Sequence, residues 1–307
     1  MFTYDAVKDK SDLLKAMTGL SAEELGTLLE AFTSAWEDYS EAKSSEHQER
    51  QRAYGGGRRP VLRTTEHKLL FILYYLKVYP LQEILAFEFG MSQSQACEWI
   101  HVLCTVLRMA LTRLGHIPER VPERLAAMLE RSGEETFAVD GTERRRQRPK
   151  NDLDQRQYYS GKKKTHTFKN IVIVTLEGRL VKYLSDTYEG KKHDKKICDE
   201  EEPTFPEGST LYQDTGFQGY APLDVQIRQP KKKPRGRKLT EAEREQNRLI
   251  ARIRIIVEHV LGGVKRLRIV KDVFRNWTPH FDHVVIELAC ALHNFRANHR
   301  YQGGSSS

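Results

Sequence analysis

The feature that most constrains this chain is a change of hydrophobic period near GHIPERVPE, residues 115–123. Before it, apolar residues recur every three or four positions, the repeat of helices with one buried face. After it come short runs rich in β-branched and aromatic residues: TFAVD, NIVIVTL, RLVKYLSDT and STLYQD. These read as strands, and TLEGRLV places a turn between two of them, so 169–186 is an expected hairpin. The expected fold class is therefore mixed α/β, with an all-α N-terminal region. A length of 307 residues with 39% apolar side chains is enough for two cored domains.

Within the helical part, LSAEELGTLLEAFTSAWEDY opens with Ser21 as a cap and Glu24 three residues on, a capping-box pattern. YGGGRRP (54–60) reads as a basic linker. Residues 64–115 read as helices again, broken at VYP and at Gly90. The stretch from Gln82 to Ile100 has the order of a helix-turn-helix. Ala86 is small where two helices must cross, and Gly90 stands where the turn needs a left-handed residue. Leu85, Phe89, Met91, Ala96 and Trp99 supply the small core. Ser92, Gln93, Ser94 and Gln95 then open the second helix, and their side chains can hydrogen-bond base edges. The plain alternative is a helical hairpin with a glycine turn.

Net charge is +8, and it is uneven. Lys162, Lys163 and Lys164, the run KKHDKK, and PKKKPRGRK (with Lys231, Lys232, Lys233, Arg235 and Arg237) fall in the second half. This favours a polyanionic partner, nucleic acid first. LLFILYYL is too short to span a bilayer, so no membrane role is expected. MFTYDAVKDK has no apolar signal core. Four cysteines without a CxxC pair read as reduced thiols in a cytoplasmic protein.

Three carboxylates stand out in the second half. Asp140 is read as ending the strand TFAVD, and Asp214 as ending TLYQD; both are followed by small residues. Parallel neighbouring strands would put the two side by side. Glu258 is the one acid between Glu245 and Asp272, on a helix capped by Thr240 with Glu243. At 3.6 residues per turn, Arg254, Glu258 and Lys265 share a face, opposite Ile253, Val257, Val260, Val264 and Leu267. Gly262 leaves room beside them. Three hard oxygen donors suit a pair of Mg²⁺ ions. The plain alternative is an i, i−4 ion pair between Glu258 and Arg254.

VDGTE, YYSGKKKTHTFKN, KKHDKKI, QDTGFQG and VEHVLGGVKR, in that order, resemble the DDE-type transposases of bacterial insertion sequences, of the insertion-sequence-five type with an N-terminal helix-turn-helix. Harbinger-type transposase-derived nucleases are similar. The resemblance implies an RNase H-like catalytic core using two Mg²⁺ ions, with Mn²⁺ as a substitute. It puts the family's acids on Asp140, Asp214 and Glu258, and its signature cations on Arg254 and Lys265, while Ala251 stands where the signature has Tyr. It implies a nucleoid-associated homodimer acting on the element's terminal inverted repeats and on target DNA. The expected division is a helical region and linker over 1–60, a helix-turn-helix domain over 61–118, and a catalytic domain over 119–302 with a basic insertion at about 217–240. A tail, 303–307, ends in GGSSS. Rival readings are a nuclease on the same core, a DNA-binding regulator with inert acids, and an interaction scaffold.

Other clusters carry less. Asp194 follows His193 at an expected helix start and is the nearest rival to the trio, ahead of Asp186 and Asp199. Cys290, His293 and His299 lie on one helix without a fourth ligand and make a poor zinc site.

Overall fold

The computed structural model describes residues 2–45, 60–233 and 236–302, so YGGGRRP (up to Arg59), Arg235 and the GGSSS tail lie outside the described residues. It divides into two compact units: Met1–Ile117 with Arg266–Ile269, and Pro118–Lys265 with Val270–Ser307.

The first unit is helical. It comprises α1 (Ser11–Thr18), α2 (Ala22–Ser45), α3 (Thr65–Val78), α4 (Gln82–Phe89) and α5 (Gln93–Arg113). Ser21 and Glu24 form the expected reciprocal cap of α2, at 2.7 and 3.1 Å. The helix α3 is apolar all round, and every residue from His67 to Leu76 is buried, as a central helix must be. Thr64 caps its start, and Tyr79 in a left-handed conformation ends it ahead of Pro80. Phe71 packs edge-on against Phe89 at 4.9 Å, and Phe2 does so at 5.3 Å.

The second unit is a mixed sheet with helices. In chain order it holds α6 (Leu125–Glu130), β1 (Thr136–Arg145), α7 (Asp152–Tyr158), β2 (Tyr159–Ser160), β3 (Thr165–Thr175), β4 (Val181–Leu184) and β5 (Tyr188–Glu189). Then follow α8 (Asp194–Glu201), β6 (Thr210–Tyr212), β7 (Gln226–Arg228), α9 (Glu241–Val264) and α11 (Phe281–Gln302), while the short α10 (Arg268–Lys271) straddles the division between the units. The main strands run β4-β3-β1-β6-β7. β4, β3 and β1 pair antiparallel, while β1, β6 and β7 pair parallel. This is the strand order and direction of an RNase H-like sheet. β3 is buried from Thr167 to Thr175, the continuous burial of a strand covered on both faces.

Alternation along β1 assigns the two layers. Phe137 and Val139 join Ile171, Ile173 and Leu211 in a core closed by Leu125 and Leu129 of α6 and Ile197 of α8. Asp140 therefore points to the other face, where α9 crosses β1. Val257, Val260, Leu261 and Val264 are the buried stripe of α9. The hairpin expected at 169–186 is present as β3–β4. The segment expected to be a basic insertion, 217–240, is not all irregular: it contains β7, a three-residue edge strand too short to register as a hydrophobic pattern. Among the described residues after Arg228, no further strand or helix precedes α9.

Candidate active site

β6 ends level with Ala138, which pairs with Tyr212. From Val139 onward the β6-side edge of β1 is thus open, at the carboxyl ends of two parallel strands, where ligands of α/β sheets commonly bind. Asp140 sits on that edge. It does not end its strand, as the sequence reading had it: β1 continues to Arg145, because Gly141 to Arg145 pair with Ile171 to Thr167 of β3. The polar run GTERR conceals the strand, since Thr142 and Arg144 are buried polar residues. Arg144 Nη2 donates to Asn170 Oδ1 at 3.0 Å and lies 3.8 Å from Asp282 of α11.

Asp214 follows β6 and caps a single helical turn, its carboxylate accepting the Gly216 N–H at 2.6 Å. Asp140 accepts the Gly141 N–H at 2.8 Å. The two carboxylates sense each other. Burial pushes the Asp140 carboxyl up to about 6; Asp214 and Asp194 add to the rise, against the Gly141 N–H and Arg254.

A third aspartate enters from α8. A Cβ at Gly141 would stand 2.8 Å from the Asp194 carboxylate, so only glycine lets α8 begin this close to β1. Asp194 also approaches Gly216, at 3.8 Å from an added Cβ. Lys169 of β3 holds it: Nζ lies 3.0 Å from Asp194 Oδ1 and 3.9 Å from Glu143, and it donates to the Lys192 carbonyl at 2.6 Å. Asp194 was ranked below Glu258 in the sequence because its place is set by packing of α8. Lys169 and Glu143 were missed altogether. A lysine between Phe168 and the strand run NIVIV was the available signal, since a buried charge demands partners.

From α9, Arg254 reaches the site, 3.8 Å from Asp214. Lys265 ends α9 beside Asp140 and Lys163; burial and Lys163 lower its pKa, and Asp140 opposes them. Glu258 lies one turn beyond Arg254, about 40° round the helix. It is exposed, and among the described residues it forms no ion pair with Arg254, which is paired with Asp214 instead. Among the described residues, no three Asp, Glu, His or Cys side chains converge closely enough to enclose an ion. The donor chemistry nevertheless fits a hard divalent cation. Burial first, and then the Asp214 and Asp194 carboxylates, raise Asp140, and a cation would offset both; Gly141 and Gly216, having no side chains, let the carboxylates of Asp194 and Asp214 approach closely. An added Cβ at Gly262 would meet nothing within 4 Å.

In the helical unit, α4 ends at Gly90, which is left-handed at φ 70, and α5 starts at Gln93. Ala86 is buried at the crossing. Ser92, Gln93, Ser94 and Gln95 are exposed, but three of them also make hydrogen bonds within the unit. Ser92 and Gln95 form a capping box, and Gln93 donates to Gln82 at 2.7 Å. The S-x-x-Q pattern was the signal for this.

The basic segments divide similarly. Lys162, Lys163 and Lys164 are exposed on the turn between β2 and β3. Lys231 and Arg237 pair with Glu243 at 3.4 and 3.3 Å, and Lys232 donates to Gln218. Lys233 is exposed.

Residues 139–294, just over half of the chain, match the family described as DDE superfamily endonuclease. The chain belongs to that family. Residues 60–112 match the helix-turn-helix of DDE superfamily endonuclease, so this endonuclease carries the family's DNA-binding region ahead of its sheet. It is 28% identical over 220 residues to the probable transposase for insertion sequence element IS702 of Microchaete diplosiphon, covering 72% of this chain and 76% of that one. No solved structure matches it. No helix among the described residues is long and apolar enough to cross a membrane.

Proposed function

We propose that this DDE superfamily endonuclease is the transposase of an insertion sequence. On this reading it binds the element's terminal inverted repeats, cuts DNA at the element ends and joins the freed 3′-hydroxyl to target DNA. The observation that carries the reading is the placement of Asp140 and Asp214 just beyond the point where the adjacent parallel strands β1 and β6 stop pairing, with Arg254 of α9 on Asp214. The kinship to an insertion-sequence transposase over 72% of the chain supports it.

Asp140 and Asp214 would hold Mg²⁺, with Glu258 completing the set from α9 and Asp194 the alternative donor from α8. When bound, the metal would activate the attacking oxygen and stabilise the leaving one at phosphorus. The protein's own groups position the rest. Lys169 keeps Asp194 aimed at the gap beside Gly141. Arg254 and Lys265 place positive charge beside the carboxylates, where a phosphate would otherwise be repelled. Lys162, Lys163, Lys164, Lys231, Lys232, Lys233, Arg235 and Arg237 supply non-specific attraction to DNA. The region over 61–118 reads the repeats through the start of α5, with Gln93 and Ser94 as the base readers, since Ser92 and Gln95 are committed to the cap. The region over 119–302 does the chemistry. The protein would act as a homodimer, because two element ends must be paired, in the bacterial cytoplasm at the nucleoid.

The test is incubation with Mg²⁺ and labelled DNA flanking the protein's own gene. Nicks at both ends followed by joined products are expected. Nicks without joining would leave a nuclease, and binding without nicks a regulator.

A further inference from the structure

On the sheet unit, Arg148, Arg156 and Lys191 line an open hollow of about 760 Å³, together with Asp152, Tyr159 and His166. The three cations come from separate parts of the chain: the segment after β1, the helix α7, and the turn between β5 and α8. All three are exposed. They are also placed by their surroundings. Arg148 Nε donates to Gln155 at 2.9 Å, and the Lys191 N–H donates to the Gln157 carbonyl at 3.1 Å. Behind the hollow, Arg146 lies 3.9 Å from the centre of the Tyr158 ring and 4.6 Å from that of Phe168. Tyr159, 42% exposed, meets His166 edge-on at 5.6 Å. The His166 pKa is lowered, first by burial and then by Arg148 and Arg146, so the positive field is concentrated here.

Among the described residues none of the three cations is in an ion pair, while one carboxylate, Asp152, shares the hollow. Three cations against one carboxylate leave a net positive charge, and their mutual repulsion costs stability unless an anion fills the space. The distance to the acids gives that anion a dimension. Asp140 pairs with Val172, and His166 lies six residues back along the same strand. At a strand's rise that is about 20 Å. A duplex advances about 3.4 Å per step along each strand, so the interval corresponds to roughly six base pairs.

We propose that this hollow binds the phosphate backbone of duplex DNA about half a turn from the point of cleavage. It acts without regard to sequence and sets the path of the duplex across the sheet. The inference rests on the endonuclease site being at Asp140 and adds a contact which that reading does not contain.

The experiment measures binding of a labelled 30-base-pair duplex of arbitrary sequence over a salt series, for the full chain and for Arg148→Ala/Arg156→Ala/Lys191→Ala. Each lost phosphate contact should reduce the slope of log affinity against log salt by about 0.9, so a drop of roughly two to three is expected. Preference for element ends over arbitrary DNA should be unchanged. A photo-crosslinker at position 156 should attach to DNA within about one half-turn of the nick. If circular dichroism shows the triple variant unfolded, Arg156→Glu alone is read the same way. An unchanged slope, or crosslinks a full turn or more from the nick, overturns the inference. Wild-type protein that neither binds nor nicks DNA instead sinks the functional reading on which it rests.

Discussion

The strand-borne acids and the helix-borne acid of this protein are held by different forces. Asp140 is fixed by main-chain ladders on β1, which pairs from Phe137 to Arg145 with β3 and from Thr136 to Ala138 with β6. Only its side-chain torsions are free. Glu258 rides on α9, which is attached to the sheet by side-chain packing of Val257, Val260 and Val264. Packing of that kind fixes a helix less stiffly than a hydrogen-bonded ladder fixes a strand. The difference shows in energetics. Asp140 is pre-placed against its neighbours and pays with a raised pKa, whereas Glu258 stands in water. If Asp140, Asp214 and Glu258 form the proposed site, it has two fixed donors and one adjustable donor, and can exist before its metal arrives and tighten afterwards.

The sharpest break would come from the acids themselves. Asp140→Asn and Asp214→Asn should each abolish Mg²⁺-dependent nicking of supercoiled DNA while leaving duplex affinity within about twofold, because carboxylates add no attraction to DNA. Glu258→Gln should fail as completely if α9 closes on the metal. If it nicks normally, the adjustable donor is not on α9, and Asp194→Asn should be the inactive variant.

Next in size are the supports of the α8 side. Gly141→Ala must push the Asp194 carboxylate away from a Cβ only 2.8 Å distant. Lys169→Met removes the cation that aims it. Both should raise the Mg²⁺ concentration needed for half-maximal nicking by about 10–100-fold, the usual size of a lost supporting contact around a metal ligand. Unchanged metal dependence would leave Asp194 outside the site.

The pH dependence of stability tests the pre-placement. Asp140 has a folded pKa of about 6, above the ordinary 3.8. Its contribution is therefore fully present below about pH 4 and is lost as pH rises through 6. Metal-free Asp140→Asn should be more stable than wild type at pH 8, by roughly 1–3 kcal/mol, and the gap should close toward pH 4. Adding Mg²⁺ at pH 8 should narrow it from the wild-type side. Equal melting curves at both pH values would show that neither burial nor the neighbouring carboxylates hold the Asp140 pKa up.

The smallest effect concerns the start of α9. Thr240→Ala removes a cap worth about 1 kcal/mol, and nicking should not change, because the end near Glu258 is set by the buried stripe. A large loss of nicking would mean that the whole helix, not its packed stripe, aims the acid.

What the sequence disclosed follows from range. Local patterns were readable: the caps at Ser21 and Thr240, the turn at Gly90, the hairpin of β3 and β4, and the strand before each aspartate. The parallel pairing of β1 with β6 was only a condition for bringing Asp140 and Asp214 together, and the ladder meets it, although neither aspartate ends its strand. What lay hidden was set by contacts distant in sequence. Arg144 is buried because Asn170 and Asp282 receive it, so an apparently solvated tail is really half of a central strand. Asp194 acquires its neighbours only when α8 docks against Gly141. The capping box of Ser92 and Gln95 was local and readable, but those residues had been assigned wholly to base recognition.

The stretch between β7 and Thr240 has a consequence on a longer timescale. One end is fastened by the β6–β7 ladder and the other by the Thr240–Glu243 box, with Lys231 and Arg237 tied to Glu243. Doubling such a loop costs only about 0.6 kcal/mol of closure entropy. Lineages can therefore lengthen it, shorten it or recode its charge almost without penalty, while any side chain at position 141 collides with a carboxylate. Divergence among relatives should collect in this segment first, making it the part of the protein most open to evolutionary retuning of how it grips DNA.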